Sequence, residues 1–220
     1  MKYLPKEETD PQGFVNAITE ANPQDGSIEK KESYSALMDK KPLRQFLLTE
    51  QHFLCLYCQS QIDMKTSQTE HYLSQANYSK LSLRYSNLYA GCECNELKRV
   101  TKSEDRRELR NDFCGHRKGD TELTWSPVKD PIAVATTTSC NPFFEVNTER
   151  GSINGKGQNT AEVNDFIRVC NLNHKLLKRA RSEAFKTITE SGLTLDEMIR
   201  RVAANPSQPY NQFILNGLII

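Results

Sequence analysis

The chain has 220 residues and a formal net charge of +1, which gives it enough length to bury a core but no globally basic surface for nucleic acid. No apolar run approaches the roughly 18–20 residues that cross a bilayer, and the polar first ten residues do not resemble a signal peptide. We therefore expect a soluble, cytoplasmic protein that has no contact with a membrane.

The predicted elements begin with a short helix over 14–21, set in an arm that contains several prolines. A helical pattern of apolar residues follows over 33–53. The apolar run from Phe143 to Val146, with a turn at Gly151, predicts a β-hairpin. Further helices are predicted over about 160–172, 173–190, 193–203 and 211–216. The unusual residues, cysteine and histidine, concentrate between these elements, in 54–120.

Most of the seven cysteines cluster, which in a reducing compartment predicts a metal site rather than disulfides. Cys55 and Cys58 are spaced so that one tight turn can present both thiolates to a tetrahedral zinc ion. Cys92 is a third ligand, and the fourth is either Cys94 or Cys114. We favour Cys114, because a one-residue spacing such as Cys92–Cys94 is unusual in zinc knuckles. The predicted structural zinc site is Cys55, Cys58, Cys92 and Cys114, with Cys94 as the alternative ligand.

Basic residues outnumber acidic ones between 98 and 118. Lysine and arginine side chains in such a stretch can lie along nucleic-acid phosphates, although a solvated helix face has the same pattern. The candidate nucleic-acid-binding residues are Lys98, Arg99, Arg117 and Lys118.

Two further motifs lie between Cys58 and Cys92. Glu70 directly precedes His71, and Asn87 precedes a short apolar strand that leads to Cys92. From Cys55 to Lys118 the order Cys-x-x-Cys, Glu-His, Asn-Leu, Cys, Cys-Gly-His-x-Lys-Gly resembles the HNH endonucleases. Within that family it looks most like the PtuB nuclease subunits of Septu and retron-associated anti-phage systems. The resemblance covers about residues 43–185.

The resemblance implies an α+β fold with a ββα-metal core (HNH, or His-Me finger), a structural zinc, a flanking N-terminal helix and a C-terminal helical layer. It divides the chain into three regions. Residues 1–42 form an N-terminal arm and helix, and 43–125 form the zinc-stabilised nuclease module. Residues 126–220 form a hairpin and helices that pack on that core.

The resemblance also implies a role for each catalytic residue. His71 is the general base, and Glu70 holds a catalytic Mg²⁺ or Mn²⁺ ion. Asn87 orients His71 by bonding backbone in the intervening loop. His116 is the second ligand of that ion, with Asn95 as the alternative. The sequence departs from the common pattern in lacking a proline soon after Glu-His and in carrying both Cys-Asn and Cys-Gly-His.

The expected function is therefore metal-dependent hydrolysis of nucleic-acid phosphodiester bonds, with double-stranded DNA as the favoured substrate. The implied partner is a PtuA-like ATPase of the ABC or SMC type in an anti-phage defence complex. Two alternatives stay open at this point, namely an RNA-cleaving effector and a non-catalytic zinc-binding adaptor.

Overall fold

The computed structural model describes residues 6, 10–21, 34–94, 113–126, 143–157 and 159–219. Within these ranges the chain is a mixed α/β structure with two small antiparallel sheets of two strands each. The elements in chain order are α1 (Gln12–Ala21), α2 (Lys41–Glu50), β1 (Ser67–His71), β2 (Leu88–Cys92), α3 (Cys114–Lys118), β3 (Phe144–Asn147), β4 (Ser152–Gly155), α4 (Thr160–Val169), α5 (Lys175–Thr189), α6 (Leu195–Ala204) and α7 (Asn211–Leu218). The predicted mixture of helices with small strands is thus confirmed.

Helices α1 and α2 pack against each other at the N-terminal side of the core. The buried residues of α1 recur at helical spacing, and its Phe14 ring lies 5.4 Å from the ring of Tyr85. The helical pattern predicted over 33–53 is divided in the structure: a single 3₁₀ turn at Tyr34–Ala36 precedes α2, which begins at Lys41. Pro42 stands in the first turn of α2, where its missing N–H costs no hydrogen bond.

Strands β1 and β2 form an antiparallel ribbon in which Glu70 pairs with Tyr89 and His71 with Leu88. Every residue of β2 is buried, because the strand packs against both α2 and α3. Gln51 links α2 to this ribbon: its Oε1 accepts from the Ala90 amide at 2.7 Å, and its Nε2 donates to the Ala90 carbonyl at 2.9 Å. The ribbon is therefore held rigidly from the helix side.

The C-terminal half forms a layer of its own around the β3–β4 hairpin. Helix α4 packs on β4, and α7 contacts β3, α5 and α6. Helix α4 ends earlier than predicted because Asn171 adopts a left-handed conformation (φ 48°), and the Leu172 amide donates back to the Ile167 carbonyl at 2.9 Å. His174 then caps α5 by accepting from the Leu176 amide at 3.3 Å.

None of the helices in the described ranges is long and apolar enough to cross a membrane.

Candidate metal centre and active site

Four buried cysteines come together where three parts of the fold meet. The Sγ atoms of Cys55, Cys58, Cys92 and Cys114 all lie within 4.8 Å of one another. Thiolates bound tetrahedrally to zinc at about 2.3 Å stand about 3.8 Å apart, and the Sγ atoms of Cys58 and Cys92 are separated by 3.9 Å. The arrangement therefore fits a metal ion such as zinc.

The four cysteines come from three local structures. Cys55 and Cys58 flank a tight turn, closed by a hydrogen bond from the Gln59 amide to the Cys55 carbonyl at 3.1 Å. Cys92 is the last residue of β2, and Cys114 is the first of α3. Cys114 has a φ of 58°, a conformation rare for cysteine, which metal ligation would stabilise. A bound ion would thus join the turn, the ribbon and α3.

Cys94, the alternative ligand, lies beside the group of four without belonging to it. Its Sγ is 3.8 Å from that of Cys92, and its thiol donates to the Phe113 carbonyl at 3.1 Å. The set favoured from spacing, with Cys114 as fourth member, is the set that the fold brings together. The amide of Cys92 also donates to Cys55 Sγ at 3.4 Å, a hydrogen bond that stabilises a thiolate.

Arg181 is buried close to this centre, and sequence reasoning missed it. Burial lowers the pKa of its guanidinium, whereas Tyr210, Cys58 and Cys114 act in the opposite direction. It donates to the Gly151 carbonyl at 3.2 Å. Four thiolates and one Zn²⁺ carry a net charge of about −2, so a buried cation at this point offsets it. The sequence contains one indication of this: Arg181 falls at a position of α5 where helical spacing otherwise places buried apolar residues.

Glu70 extends from β1 into the fold and is 7% exposed. Its Oε1 accepts a hydrogen bond from the Tyr57 hydroxyl at 2.9 Å and lies 3.8 Å from Nζ of Lys118. Burial raises the pKa of this carboxyl, and the charge of Lys118 and the Tyr57 hydrogen bond partly oppose that effect. Tyr57 lies inside the Cys55–Cys58 turn, so its hydrogen bond connects the four-cysteine centre to Glu70.

The other Glu70 oxygen, Oε2, faces Gly115 in α3. A Cβ added at Gly115 would overlap this carboxylate and lie 2.7 Å from Glu70 Cδ. The missing side chain thus lets the Glu70 carboxylate pack directly against the backbone of α3. Mg²⁺ often takes only one or two protein carboxylates, with water and substrate phosphate as its other ligands. Glu70 has the carboxylate chemistry that such an ion takes, but Lys118 already compensates its charge.

His71 ends β1 and is half-buried. Its Nε2 lies 3.0 Å from the Ser82 carbonyl oxygen, and since a carbonyl can only accept, Nε2 carries the hydrogen. In the neutral ring Nδ1 is then the proton acceptor. Burial lowers the pKa of His71, as does the charge of Lys118, while the Ser82 carbonyl raises it. The ring is therefore neutral at neutral pH, and Nδ1 is the nitrogen that can accept a proton.

Two side chains border the His71 ring. The ring of Tyr34 packs against it edge-on, with the centroids 4.9 Å apart. The Gln75 amide nitrogen lies 3.0 Å from Nδ1 and 2.8 Å from Nε2. Because Nε2 already donates to a carbonyl, Nδ1 is the acceptor of this Gln75 hydrogen bond. Gln75 is exposed, so it can leave Nδ1 to solvent or substrate by rotating.

Asn87 holds the loop between β1 and β2. Its Oδ1 accepts from the Leu73 amide at 2.7 Å, and its Nδ2 donates to the carbonyls of Leu73 and Leu81 at 3.0 and 3.1 Å. These are bonds to backbone in the intervening loop, of the kind that the resemblance implies. The bond to Leu81 fixes the residue directly before Ser82, whose carbonyl orients His71.

Three of the remaining candidate residues lie in α3, and three lie outside the described residues. His116 and Arg117 are exposed, and no contact between His116 and Glu70 is found in the described part of the chain. Lys118 is 2% exposed and faces Glu70. Its ammonium is directed toward Glu70 in this conformation, and its predicted contact with nucleic acid stays a prediction. The candidates outside the described residues are Asn95, Lys98 and Arg99.

The fold and this site define an α/β protein with a four-cysteine centre beside a buried Glu70–Lys118 pair. Comparison with known proteins finds no matching family model and no significant match among curated proteins. The function is therefore inferred from the site's own geometry and from the motif order.

Proposed function

We propose that the chain is a metal-dependent endonuclease of the HNH type that hydrolyses phosphodiester bonds, with double-stranded DNA as its favoured substrate. The observation that supports this most is the state of His71. Its Nε2 is committed to the Ser82 carbonyl, burial lowers its pKa, and Nδ1 is left as a base near neutral pH. A histidine in this state suits proton abstraction from water.

In this proposal, Nδ1 of His71 takes a proton from the attacking water once Gln75 has rotated away. The Ser82 carbonyl then stabilises the positively charged ring, because it accepts from Nε2 in both protonation states. Asn87 keeps that carbonyl in place through its bonds to the flanking loop. The half-buried position limits competing water around the ring.

Glu70 would hold a divalent Mg²⁺ or Mn²⁺ ion through its carboxylate, with His116 as the proposed second ligand. When bound, such an ion supplies positive charge that stabilises the phosphate oxygens during hydrolysis. The four-cysteine zinc is structural in this scheme, since four thiolates leave no open position for substrate. Its function is to hold α3 against the ribbon.

The test compares His71→Asn with His52→Asn, which places the same substitution at an exposed histidine. We expect His71→Asn to reduce Mg²⁺- or Mn²⁺-dependent nicking of plasmid DNA at least about 100-fold. Its zinc content and melting temperature should match those of His52→Asn. Retained cleavage by His71→Asn would refute the assignment of the base. Parallel assays on RNA decide whether the chain is instead an RNA-cleaving effector.

A second candidate is a non-catalytic zinc-binding adaptor. The observation that favours it is that the Glu70 carboxylate already has a cation, Lys118, as its partner. Isothermal titration of the zinc-loaded protein with Mn²⁺ separates the two functions. The nuclease binds Mn²⁺ and loses that binding in Glu70→Gln, whereas the adaptor binds none.

The biological setting is proposed from the resemblance alone. The chain would act in the cytoplasm as the nuclease of an anti-phage complex with a PtuA-like ATPase of the ABC or SMC type. Co-expression with an ATPase encoded beside it, followed by affinity purification, tests this setting. A complex of defined stoichiometry supports the proposal, and recovery of the chain alone contradicts it.

A further inference from the structure

A polar cleft of about 450 Å³ lies outside the site described above, between α3 and α4. It is lined by Arg117, Asn164, Ile167, Arg168, Asn171 and Asn173. Five of these six side chains are polar and two of the five are arginines, and none of the described residues that line the cleft is acidic. A lining of this kind supplies hydrogen-bond donors and positive charge, which anionic oxygens require.

The floor of the cleft is fixed by hydrogen bonds to the β3–β4 hairpin. Asn164 Oδ1 accepts from the Gly155 amide at 2.8 Å. Asn173 bonds Ile153 twice, accepting from its amide at 2.9 Å and donating to its carbonyl at 2.8 Å. Asn171 sits in the left-handed turn that ends α4. The cleft is therefore preformed rather than created by mobile side chains.

The two arginines keep donors available to a ligand. Arg117 is exposed, and within the described ranges no hydrogen bond or ion pair is found for it. Arg168 has a side chain that is 74% exposed, and it uses Nε and Nη2 on one oxygen, Oδ1 of Asp165. Its Nη1 has no partner among the residues that the structure describes, so it can bind a ligand. An exposed ion pair of this kind contributes little to stability, which leaves the guanidinium free to exchange partners.

We propose that this cleft binds phosphate groups of a nucleic-acid backbone and so positions the strand for cleavage. The inference rests on the proposed nuclease function and adds residues of α4 to the surface that binds the substrate. Helix α3 relates the two sites, because Gly115 faces Glu70 and Arg117 lines the cleft. Contacts to phosphate fix the position of a strand without reading its sequence. The cleft thus accounts for substrate placement, not for sequence preference.

The test measures binding of a short fluorescent DNA duplex by anisotropy, with no Mg²⁺ or Mn²⁺ present and the protein loaded with zinc. The variants are Arg117→Gln, Arg168→Gln and both together. Arg179→Gln is the matched control, since Arg179 is also exposed and paired with a carboxylate, Glu183, at 2.7 Å, yet does not line the cleft. All single variants lose the same charge.

We expect the double variant to bind about 10- to 100-fold more weakly, and the slope of log affinity against log salt to fall by about one for each arginine removed. Arg179→Gln should bind like the unmodified protein. A double variant that binds as well as Arg179→Gln overturns the inference. Binding of inorganic phosphate that is lost in the double variant, while duplex binding is unchanged, also overturns it, because the cleft would then be a site for free phosphate.

The outcome is separable from the proposed nuclease function. If the double variant loses binding and the unmodified chain never cleaves DNA, the proposal that the cleft binds phosphates is supported and the nuclease proposal fails. If the chain cleaves DNA and the double variant binds normally, only the cleft proposal fails.

Discussion

The ammonium of Lys118, at the end of α3, lies 3.8 Å from Oε1 of Glu70 on β1, and the two side chains are 1% and 9% exposed. Lys118 also donates to the carbonyl of Gly119 at 3.1 Å. The pair connects the helix to the ribbon at the point where the proposed chemistry takes place. Its two members were expected to act separately, one on a metal and one on nucleic acid.

The first prediction concerns this ion pair. Lys118→Met removes the partner of a buried carboxylate, and we expect a loss of about 3–5 kcal/mol in the free energy of unfolding. Arg117→Met, at the exposed neighbouring position, should change it by less than about 0.5 kcal/mol. Adding Glu70→Gln to Lys118→Met should restore part of the loss. Urea denaturation of the four proteins gives these values, and equal stability of the two Met variants would contradict the prediction.

The second prediction concerns zinc stoichiometry. The protein should carry one zinc ion per chain, and Cys58→Ser should lose it together with much of its thermal stability. Cys94→Ser should retain the ion, because Cys94 Sγ donates to the Phe113 carbonyl and lies outside the group of four. Elemental analysis and thermal melts measure both properties. Loss of zinc from Cys94→Ser, with retention in Cys114→Ser, would assign the fourth ligand the other way.

The third prediction is a pH dependence. Because burial lowers the pKa of His71, the active base form dominates down to a pH below the ordinary value of about 6.5. The cleavage rate should therefore rise with pH through the lowered pKa and stay level through neutrality. The contribution of His71 to the free energy of unfolding changes with pH in the same direction. It is fully present above about pH 6.5 and is lost as pH falls through the folded-state pKa. A pH–rate profile with its midpoint above 7 would rule this out.

The fourth prediction uses Gly115. In Gly115→Ala the new Cβ overlaps the Glu70 carboxylate, so Glu70 must move, at a cost of about 1–3 kcal/mol in stability. Mn²⁺ affinity should fall with it. Gly119→Ala is the control: its Cβ meets nothing within 4 Å, although its φ of 52° adds backbone strain. The prediction fails if Gly115→Ala binds Mn²⁺ as tightly as Gly119→Ala does.

Spacing and periodicity in the sequence were sufficient to predict much of the fold. The Cys55–Cys58 turn is local, so its geometry follows from the two-residue spacing alone. The C-terminal helices were predicted from apolar periodicity, and the hairpin at Gly151 from its turn. The end of α4 was missed because a left-handed Asn171 is one of several conformations that asparagine accepts.

The partners of the candidate residues could not be predicted in the same way. A lysine in a basic stretch is expected at the surface, and only the tertiary fold places Lys118 against Glu70. The partner of Tyr57 could not be predicted either, since nothing in its sequence context indicates the hydrogen bond to Glu70. Long-range pairing of this kind depends on how β1, α3 and the cysteine turn meet, and no short motif encodes it.

The meeting of Cys92 and Cys114 at one centre has a consequence for chain length. A metal bound there closes a loop over residues 93–113, and the entropy of such a closure grows only logarithmically with length. Doubling the loop costs about 0.6 kcal/mol. Insertions or foreign sequences placed between these cysteines should therefore leave α3 in register with the ribbon. Loop exchange at this point is a means of grafting new recognition elements beside an unchanged four-cysteine centre.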